Sequence, residues 1–403
     1  MSREGRIVFG ARALRTFLFG ALSLVLALDL AGRGLSSARI GLAFTLCLVE
    51  DALLTLAAGA LANRLGRRRV LMAGSLLFAA AGAVLALARA PAWIWATLVL
   101  GVLSPGGLDA GPFAVIELAL LPDAVAPERR TRAFAWYNLV GFLPSALGAL
   151  AAGAWLGAAR GLGLAPAAAH RALYLAYAAG GLLLAAAYAT LADRSRSAGE
   201  APRPGLRRSR RVVAQLSALQ ALDALAGGFI VQGLLVYWFH LRFGAGAELL
   251  GPLFFGTNLL SALSFLVAAR VAERVGLLNT MVFSHLPSNV LLLLVPLAPS
   301  FPLAAALLLV RHLLSQMDVP TRQAYTMALV DPHERPAAAG FTTAARGLAQ
   351  AVAPALTGVA MATAATGLPF LLAGGLKIVY DLALYLRFRG AALPDATAGS
   401  AGA

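Results

Sequence analysis

The chain has 403 residues, of which 60% are hydrophobic and only 13% are charged. Soluble globular proteins average about 25% charged residues, so an ordinary soluble domain is excluded and a polytopic membrane protein is indicated. The formal charge of +15 does not mark a nucleic-acid binder, because the basic residues are almost all arginine, Lys377 being the one lysine, and they gather in short loops between apolar runs.

From the N-terminus, "MSREGRIVFGARALRTFLFG" starts with positive charge, but no small-residue cleavage site closes the apolar run that follows. It reads as a first span, not a cleavable signal peptide. Twelve apolar segments of roughly 18–29 residues can each cross ~30 Å of hydrocarbon at ~1.5 Å per residue. They cover 13–31, 39–61, 70–88, 93–121, 133–156, 171–191, 213–239, 248–272, 280–298, 302–330, 337–362 and 369–388. Cys47 lies inside the second, so an internal disulfide and a cysteine-based metal site are excluded.

The polar stretch 192–212, "ADRSRSAGEAPRPGLRRSRRV", is rich in Pro, Gly, Ser and Arg and predicts a flexible or partly amphipathic connector. It divides the chain into an N-terminal six-helix bundle (1–191), a cytoplasmic linker (192–212), a C-terminal six-helix bundle (213–390) and a disordered tail (391–403). Arginines concentrate at the N-terminus, in "NRLGRRR", "PERRTR" and the linker, at Arg270, Arg274 and Arg335, and at the C-terminus. The alternate loops hold only Arg33, Arg39, Arg89, Arg160, Arg171 and Arg242. The positive-inside bias predicts both termini in the cytoplasm and a multi-pass protein of the inner, cytoplasmic membrane.

The two halves read as copies. At an offset of 210, "IGLAFTLCLVEDALLTLAAGALANRLGRR" lies over "LGPLFFGTNLLSALSFLVAARVAERVGLL" without a gap, matching Gly41 to Gly251, Arg64 to Arg274 and Gly66 to Gly276. At 209, Asp109 meets Asp318, and at 206 "PERRTRAFAWYNLVG" meets "HERPAAAGFTTAARG". Duplicated halves place a binding site at their interface near the bilayer midplane.

Between spans 2 and 3, "GALANRLGRRRVL" places a small residue, a polar cap, a tight-turn glycine and a basic run in sequence. This loop resembles the cytoplasmic signature of the major facilitator superfamily, G-x-L-a-D-R-x-G-R-R, at Gly59, Leu61, Ala62, Arg64, Gly66, Arg67 and Arg68. It departs at Asn63, where the family usually carries Asp; the second copy keeps an acid, Glu273, before Arg274. The resemblance implies an all-α integral membrane fold of twelve transmembrane helices in two pseudo-symmetric six-helix bundles. It also implies that the signature loop governs state switching, an ion pair that Asn63 cannot make. Spans 4, 5 and 10 ("GVLSPGGLDAGPFAVIE", "RTRAFAWYNLVG", "SQMDVPTRQAYTMALVDPHER") are similar to those of a poorly characterised prokaryotic group within that family.

Charge in hydrocarbon costs about 2.5–3.5 kcal/mol per group on insertion scales, so each buried ionisable residue needs a reason. In span 10, Arg311, Ser315, Asp318, Arg322 and Tyr325 fall on one helical face, which predicts a wall of a wet cavity or an interhelical ion pair of Asp318 with Arg322. Pro320 is expected to open the backbone there. In span 4, Asp109 sits among the helix breakers of "SPGGLDAGP", with Glu117 two turns on. Asp109, Glu117, Asp223 and Asp318 are the candidate proton-coupling groups, because a desolvated carboxylate can take and release a proton. Arg311, Arg322, Arg346, Tyr325, Gln350 and Asn138 are the candidate substrate-binding groups. Of Glu50 and Asp51, adjacent and divergent, one is expected to meet the cavity. Lys377 and Asp381 read as a self-contained i,i+4 pair, and Asp29 and Glu248 as solvated groups near outer span ends.

No G-x-x-x-x-G-K-[ST], H-E-x-x-H or G-x-S-x-G occurs, and the five histidines fall on separate segments. No enzyme, no cofactor, no metal site and no nucleic-acid partner is expected. The leading expectation is a monomeric secondary transporter that works by alternating access and exports a small organic solute in exchange for protons. The alternatives are facilitated uptake of an anionic metabolite through Arg311, Arg322 and Arg346, and a non-transporting membrane sensor of the same fold, to which Asn63 would point.

Overall fold

Hydrocarbon offers no partners to backbone N–H and C=O groups, so a chain this apolar must satisfy them within its own helices. The computed structural model describes residues 2–108, 111–125, 130–192, 206–331, 333–363 and 365–390, and every regular element among them is helical. Asp109 and the tail 391–403, both the subject of expectations above, lie outside the described residues, as does most of the linker.

The N-terminal half comprises α1 (Arg3–Gly32), α2 (Ser37–Leu65), α3 (Arg67–Leu87), α4 (Pro91–Leu100), α5 (Pro112–Ala124), α6 (Arg130–Gly161) and α7 (Pro166–Ala189). The C-terminal half comprises α8 (Arg210–Gly228), α9 (Gln232–Phe243), α10 (Ala247–Val275), α11 (Leu277–Leu294), α12 (Phe301–Ser315), α13 (Asp318–Leu329), α14 (Arg335–Met361) and α15 (Leu368–Phe388). Twelve spans result, because α4 and α5, α8 and α9, and α12 and α13 are each one span in two pieces. Among the described residues nine stretches are long and apolar enough to cross a membrane; α4/α5, α12/α13 and α14 make up the rest, shortened by breaks or made less apolar by polar residues such as Thr342, Thr343, Arg346 and Gln350.

The duplication is visible in the backbone. Helices α2 and α10 have 29 residues each and end 210 positions apart, at Leu65 and Val275. Both end on a glycine at positive φ, +91° at Gly66 and +85° at Gly276, a conformation that side-chain-bearing residues avoid.

The halves meet along two seams related by the same repeat. Against α14, α2 comes so near that a Cβ on Gly41 would lie 2.3 Å from the Pro354 carbonyl oxygen and 2.7 Å from the Gly358 Cα. Against α10, α6 makes the equivalent approach, where a Cβ on Gly153 would lie 2.8 Å from the Gly251 Cα. Hydrogen bonds join the halves alongside these seams: Ser37 with the Tyr237 hydroxyl (3.0 Å), Ala355 N–H to Thr45 Oγ1 (3.0 Å) and Arg160 with Glu248 (2.9 Å). All of these lie toward the same ends of the helices. At the opposite ends, Asn63, Arg64, Glu273 and Arg274 are exposed.

One sequence expectation about α1 is corrected. The first span starts at Arg3, ten residues before 13, so Arg12 and Arg15 are not loop charges but buried parts of the bundle.

Candidate functional site

Among the described residues, one buried charge cluster in each half is positioned by a broken span. In the C-terminal half the break of span 10 falls at Gln316 and Met317. Pro320 explains its place: proline has no N–H to give the carbonyl of residue 316, four positions back, yet is tolerated in the first turn of α13. Arg311, Ser315, Asp318, Arg322 and Tyr325 are all buried, while Val310 (51% exposed) and Leu313 (41%) face outward. The polar face thus points inward as expected, but it does not act as a unit. The Tyr325 hydroxyl donates to the Phe388 carbonyl, and its ring packs with Leu216, Met281 and Tyr380 in an apolar cluster.

The hub of this cluster is Asp223 on α8. Its Oδ1 accepts from Lys377 Nζ of α15, and its Oδ2 accepts from Arg322 of α13 at 3.1 Å and from Arg346 of α14 at 3.0 Å. Arg322 also binds Asp318 at 2.5 Å, and Arg346 donates to the Gln220 carbonyl at 3.2 Å. Lys377 and Asp381 are therefore not the self-contained pair read from their spacing. Lys377 reaches Asp223, while Asp381 is held by His285 (2.8 Å) and Asn289 (2.9 Å) of α11. An i,i+4 spacing permits contact, but Lys377 points across the bundle to Asp223, and the hydrogen bonds from α11 take up Asp381 instead.

Arg311 differs from these cations. Its side chain is buried, forms no ion pair among the described residues, and meets only His312 Nε2 at 3.3 Å; its Nε has no hydrogen-bond partner. Counting Arg311, Arg322, Arg346 and Lys377 against Asp223, Asp318 and Asp381, this region holds one more cation than it holds anions when His285 is neutral. Arg346 is the most open of the Asp223 partners, with a side chain 28% exposed. Gln350 brings its backbone carbonyl against Gly228 of α8.

In the N-terminal half, Glu117 of α5 is fully buried and pairs with Arg15 of α1 at 2.7 Å. The Tyr137 hydroxyl donates to it at 2.7 Å, and that of Tyr188 donates to its other oxygen. Arg12 stacks over the Tyr137 ring and donates to the Tyr137 carbonyl at 2.8 Å. Asn138, the next residue on α6, is half-buried. Neither Arg15 nor the tyrosines were singled out from the sequence, since Arg15 sits in what reads as a positive-inside flank. Asp29, expected to be solvated, is instead buried and held by Arg33 (2.7 Å), His170 (2.9 Å) and the Tyr174 hydroxyl (2.9 Å).

Glu50 and Asp51 flank the break of span 4. Glu50 is buried, and Asp51 lies directly against Gly111, the residue that opens α5. An apolar cavity of about 120 Å³ between α2, α3 and α5 is lined by Leu54, Ala58, Leu71, Phe113 and similar groups, so it holds none of the charged residues.

Comparison with known proteins places these features. The model of the Major Facilitator Superfamily matches residues 7–310. An uncharacterized membrane protein of Saccharomyces cerevisiae, YJR124C, is 26% identical over 96% of this chain and 95% of its own length. The crystal structure of the human organic anion transporter MFSD10 (TETRAN) superposes with a TM-score of 0.67 at 20% identity, over 95% of this chain and 99% of that one. That of a D-xylose-proton symporter gives a TM-score of 0.70 at 14% identity, over 94% and 97%. Likeness at these identities is a likeness of fold.

Proposed function

Because this chain belongs to the Major Facilitator Superfamily and is a multi-pass membrane transporter rather than an enzyme, we propose that it works as a secondary active carrier by alternating access, exporting a small organic solute in exchange for protons. It acts as a monomer in the cytoplasmic membrane with both termini inside. The observation that carries the reading is buried charge between two close seams of the halves: glycines of α2 and α14 and of α6 and α10 meet toward one end of the helices, the signature loops stand exposed at the other, and Asp223 lies among broken spans. In alternating access a cavity opens to one side at a time, and carboxylates whose cation partners can be exchanged for a proton supply the coupling. Asp109, Glu117, Asp223 and Asp318 remain the proposed set of proton-bearing groups.

Purified protein in proteoliposomes tests this. An imposed pH gradient is expected to drive uphill movement of at least one solute from a broad panel, and Asp223→Asn is expected to abolish it. No gradient-driven flux, or flux unchanged by Asp109→Asn, Glu117→Gln, Asp223→Asn and Asp318→Asn, removes proton exchange.

A second reading, facilitated uptake of an anionic metabolite, is favoured by the unpaired Arg311 and by the surplus of cations around it. The printed cargo of the MFSD10 neighbour, an organic anion, is in keeping with it. Loss of binding in Arg311→Gln and Arg322→Ala with binding intact in the acid variants would select it.

A further inference from the structure

A cation inside a protein is normally paired, because burial strips its hydration and only a counter-charge makes up the loss. Arg322 of α13, Arg346 of α14, Lys377 of α15 and Arg15 of α1 follow that rule, each on a carboxylate. Arg311 of α12 does not: it is 6% exposed and has no ion pair among the described residues. Its Nη1 meets His312 Nε2 at 3.3 Å, and His312 Nδ1 meets Ser261 Oγ of α10 at 3.0 Å. An arginine only donates, so Nε2 accepts, and the ring carries its one proton on Nδ1 and gives it to Ser261. His312 thus holds the guanidinium by one corner as a neutral group and does not balance its charge.

The other edge of the guanidinium is left over. Nε and Nη2 form its side-on fork, and Nε is buried without a partner. One turn on along the same face of α12, Ser315 is 3% exposed, and its Oγ is also buried without a partner. Thr321 and Ser284 show the usual outlet for a helical hydroxyl, a bond to the carbonyl four residues back, at 2.8 and 2.7 Å. Ser315 makes no such bond to Arg311. An N–H fork and a hydroxyl on one helical face suit a guest that accepts hydrogen bonds. A carboxylate offers two oxygens at the spacing of the fork and a spare lone pair for the hydroxyl.

The wall that carries this edge continues to the boundary between the halves. Asn258, one turn before Ser261 on α10, donates to Gln232 Oε1 of α9 at 3.0 Å, and Gln232 Nε2 donates to Ser23 Oγ of α1 at 2.7 Å. Next along, the Gly233 N–H donates at 3.0 Å to the Pro105 carbonyl in the break of span 4. Substrate sites of duplicated transporters lie at such a boundary, beside broken spans. The charge count then sets what the guest carries. Arg311 is the one cation by which this region exceeds its carboxylates among the described residues, with His285 neutral. One negative charge closes the balance, and two reopen it with the opposite sign.

We propose that Arg311 and Ser315 form the head-group subsite for a small monocarboxylate: its carboxylate lies side-on against Nε and Nη2, accepts from the Ser315 hydroxyl, and brings the one negative charge that the bundle lacks. The inference rests on the anion reading above and narrows it, because Arg322 and Arg346 are left to Asp223. A neutral amide of the same shape is rejected, since it points an N–H at a donor and leaves the cation unbalanced.

Thermal unfolding of the full-length protein in detergent and low-salt buffer tests this. The probes are monocarboxylates from acetate to benzoate and phenylacetate, each beside its neutral amide and a dicarboxylate of matched length. At least one monocarboxylate is expected to raise the melting temperature saturably, with its amide and dicarboxylate about tenfold or more weaker. Ser315→Ala is expected to weaken that binding about tenfold, and Arg311→Gln about a hundredfold or more. Arg311→Met is expected to raise the melting temperature of the ligand-free protein, since it removes a buried charge that nothing balances; this separates lost binding from lost folding. A ligand-free protein that Arg311→Met destabilises, or monocarboxylate binding that survives Arg311→Gln, overturns the assignment. If that binding is lost in Arg346→Gln instead, the anion reading stands with its site at Asp223. Sodium chloride that matches the monocarboxylates concentration for concentration makes Arg311 the seat of an adventitious ion only, and likewise overturns it. No response to any anion in the panel removes the anion reading as well.

Discussion

Both charge clusters centre on a buried carboxylate that meets arginine, and they differ in how many cations that carboxylate holds. In the N-terminal half one carboxylate, Glu117, meets one arginine, Arg15, and two tyrosine hydroxyls complete its shell; the side chains of the pair are 0% exposed. In the C-terminal half one carboxylate, Asp223, holds three cations from three helices, one of them partly open. A proton that reaches Glu117 must displace its one arginine, Arg15, whereas Asp223 can lose one of its cations and keep the rest.

The largest expected effect breaks that comparison at its strongest point. Removing one member of a buried pair costs about 3–5 kcal/mol, whereas replacing the pair with apolar groups of similar size is often neutral. Glu117→Gln and Asp223→Asn should therefore both lower the melting temperature in detergent sharply. Adding Arg15→Met should restore the Glu117→Gln protein, while no single cation replacement should restore Asp223→Asn. Rescue of both, or of neither, would mean that the clusters are not built differently.

A middle-sized effect is expected at the seams. Gly41→Ala forces a methyl against the Pro354 carbonyl oxygen, and overpacking of this kind typically costs about 1–3 kcal/mol. Because the contact exists only with that end closed, the cost falls on the closed state, and thiol labelling at the sealed end should rise. Gly153→Ala should do the same at the equivalent seam, and a difference between them would show that the two seams do not open together.

The smallest effect concerns Glu334, outside the spans. The amide of Ser209 (2.8 Å), with those of Arg207 (2.7 Å) and Arg208 (2.9 Å), holds this carboxyl down at about 2. The folded value lies below the unfolded one of about 4.3, so its stabilisation is complete above that value and is lost as pH falls through about 2. Glu334→Gln should reduce stability at neutral pH and flatten the acid limb of a melting-temperature profile. An unchanged limb would show that the linker end is not tied to the loop before α14.

How much of this was legible in the chain differs residue by residue. The break in span 4 was announced by "SPGGLDAGP", and that in span 10 by Pro320, because helix breaking is a local property. The break after Gly228 is not marked in the sequence, since glycine pairs are common in spans; what Gly228 permits there is close packing, a Cβ on it lying 2.3 Å from the Gln350 carbonyl of α14. The inward face of span 10 was readable from helical spacing, yet Tyr325 on that face belongs to an apolar cluster.

What the sequence by itself determined is the architecture: twelve spans, two copies, an inward polar face and the loop turns at Gly66 and Gly276. Apolar length, period and the cost of charge in hydrocarbon act over a few consecutive residues, so they can be read in order. Only the tertiary structure decided who pairs with whom. Lys377 reaches Asp223 across 154 positions and Arg15 reaches Glu117 across 102. An ionic partner is chosen by the field at a point in space where several helices converge, and no window along the chain contains that point.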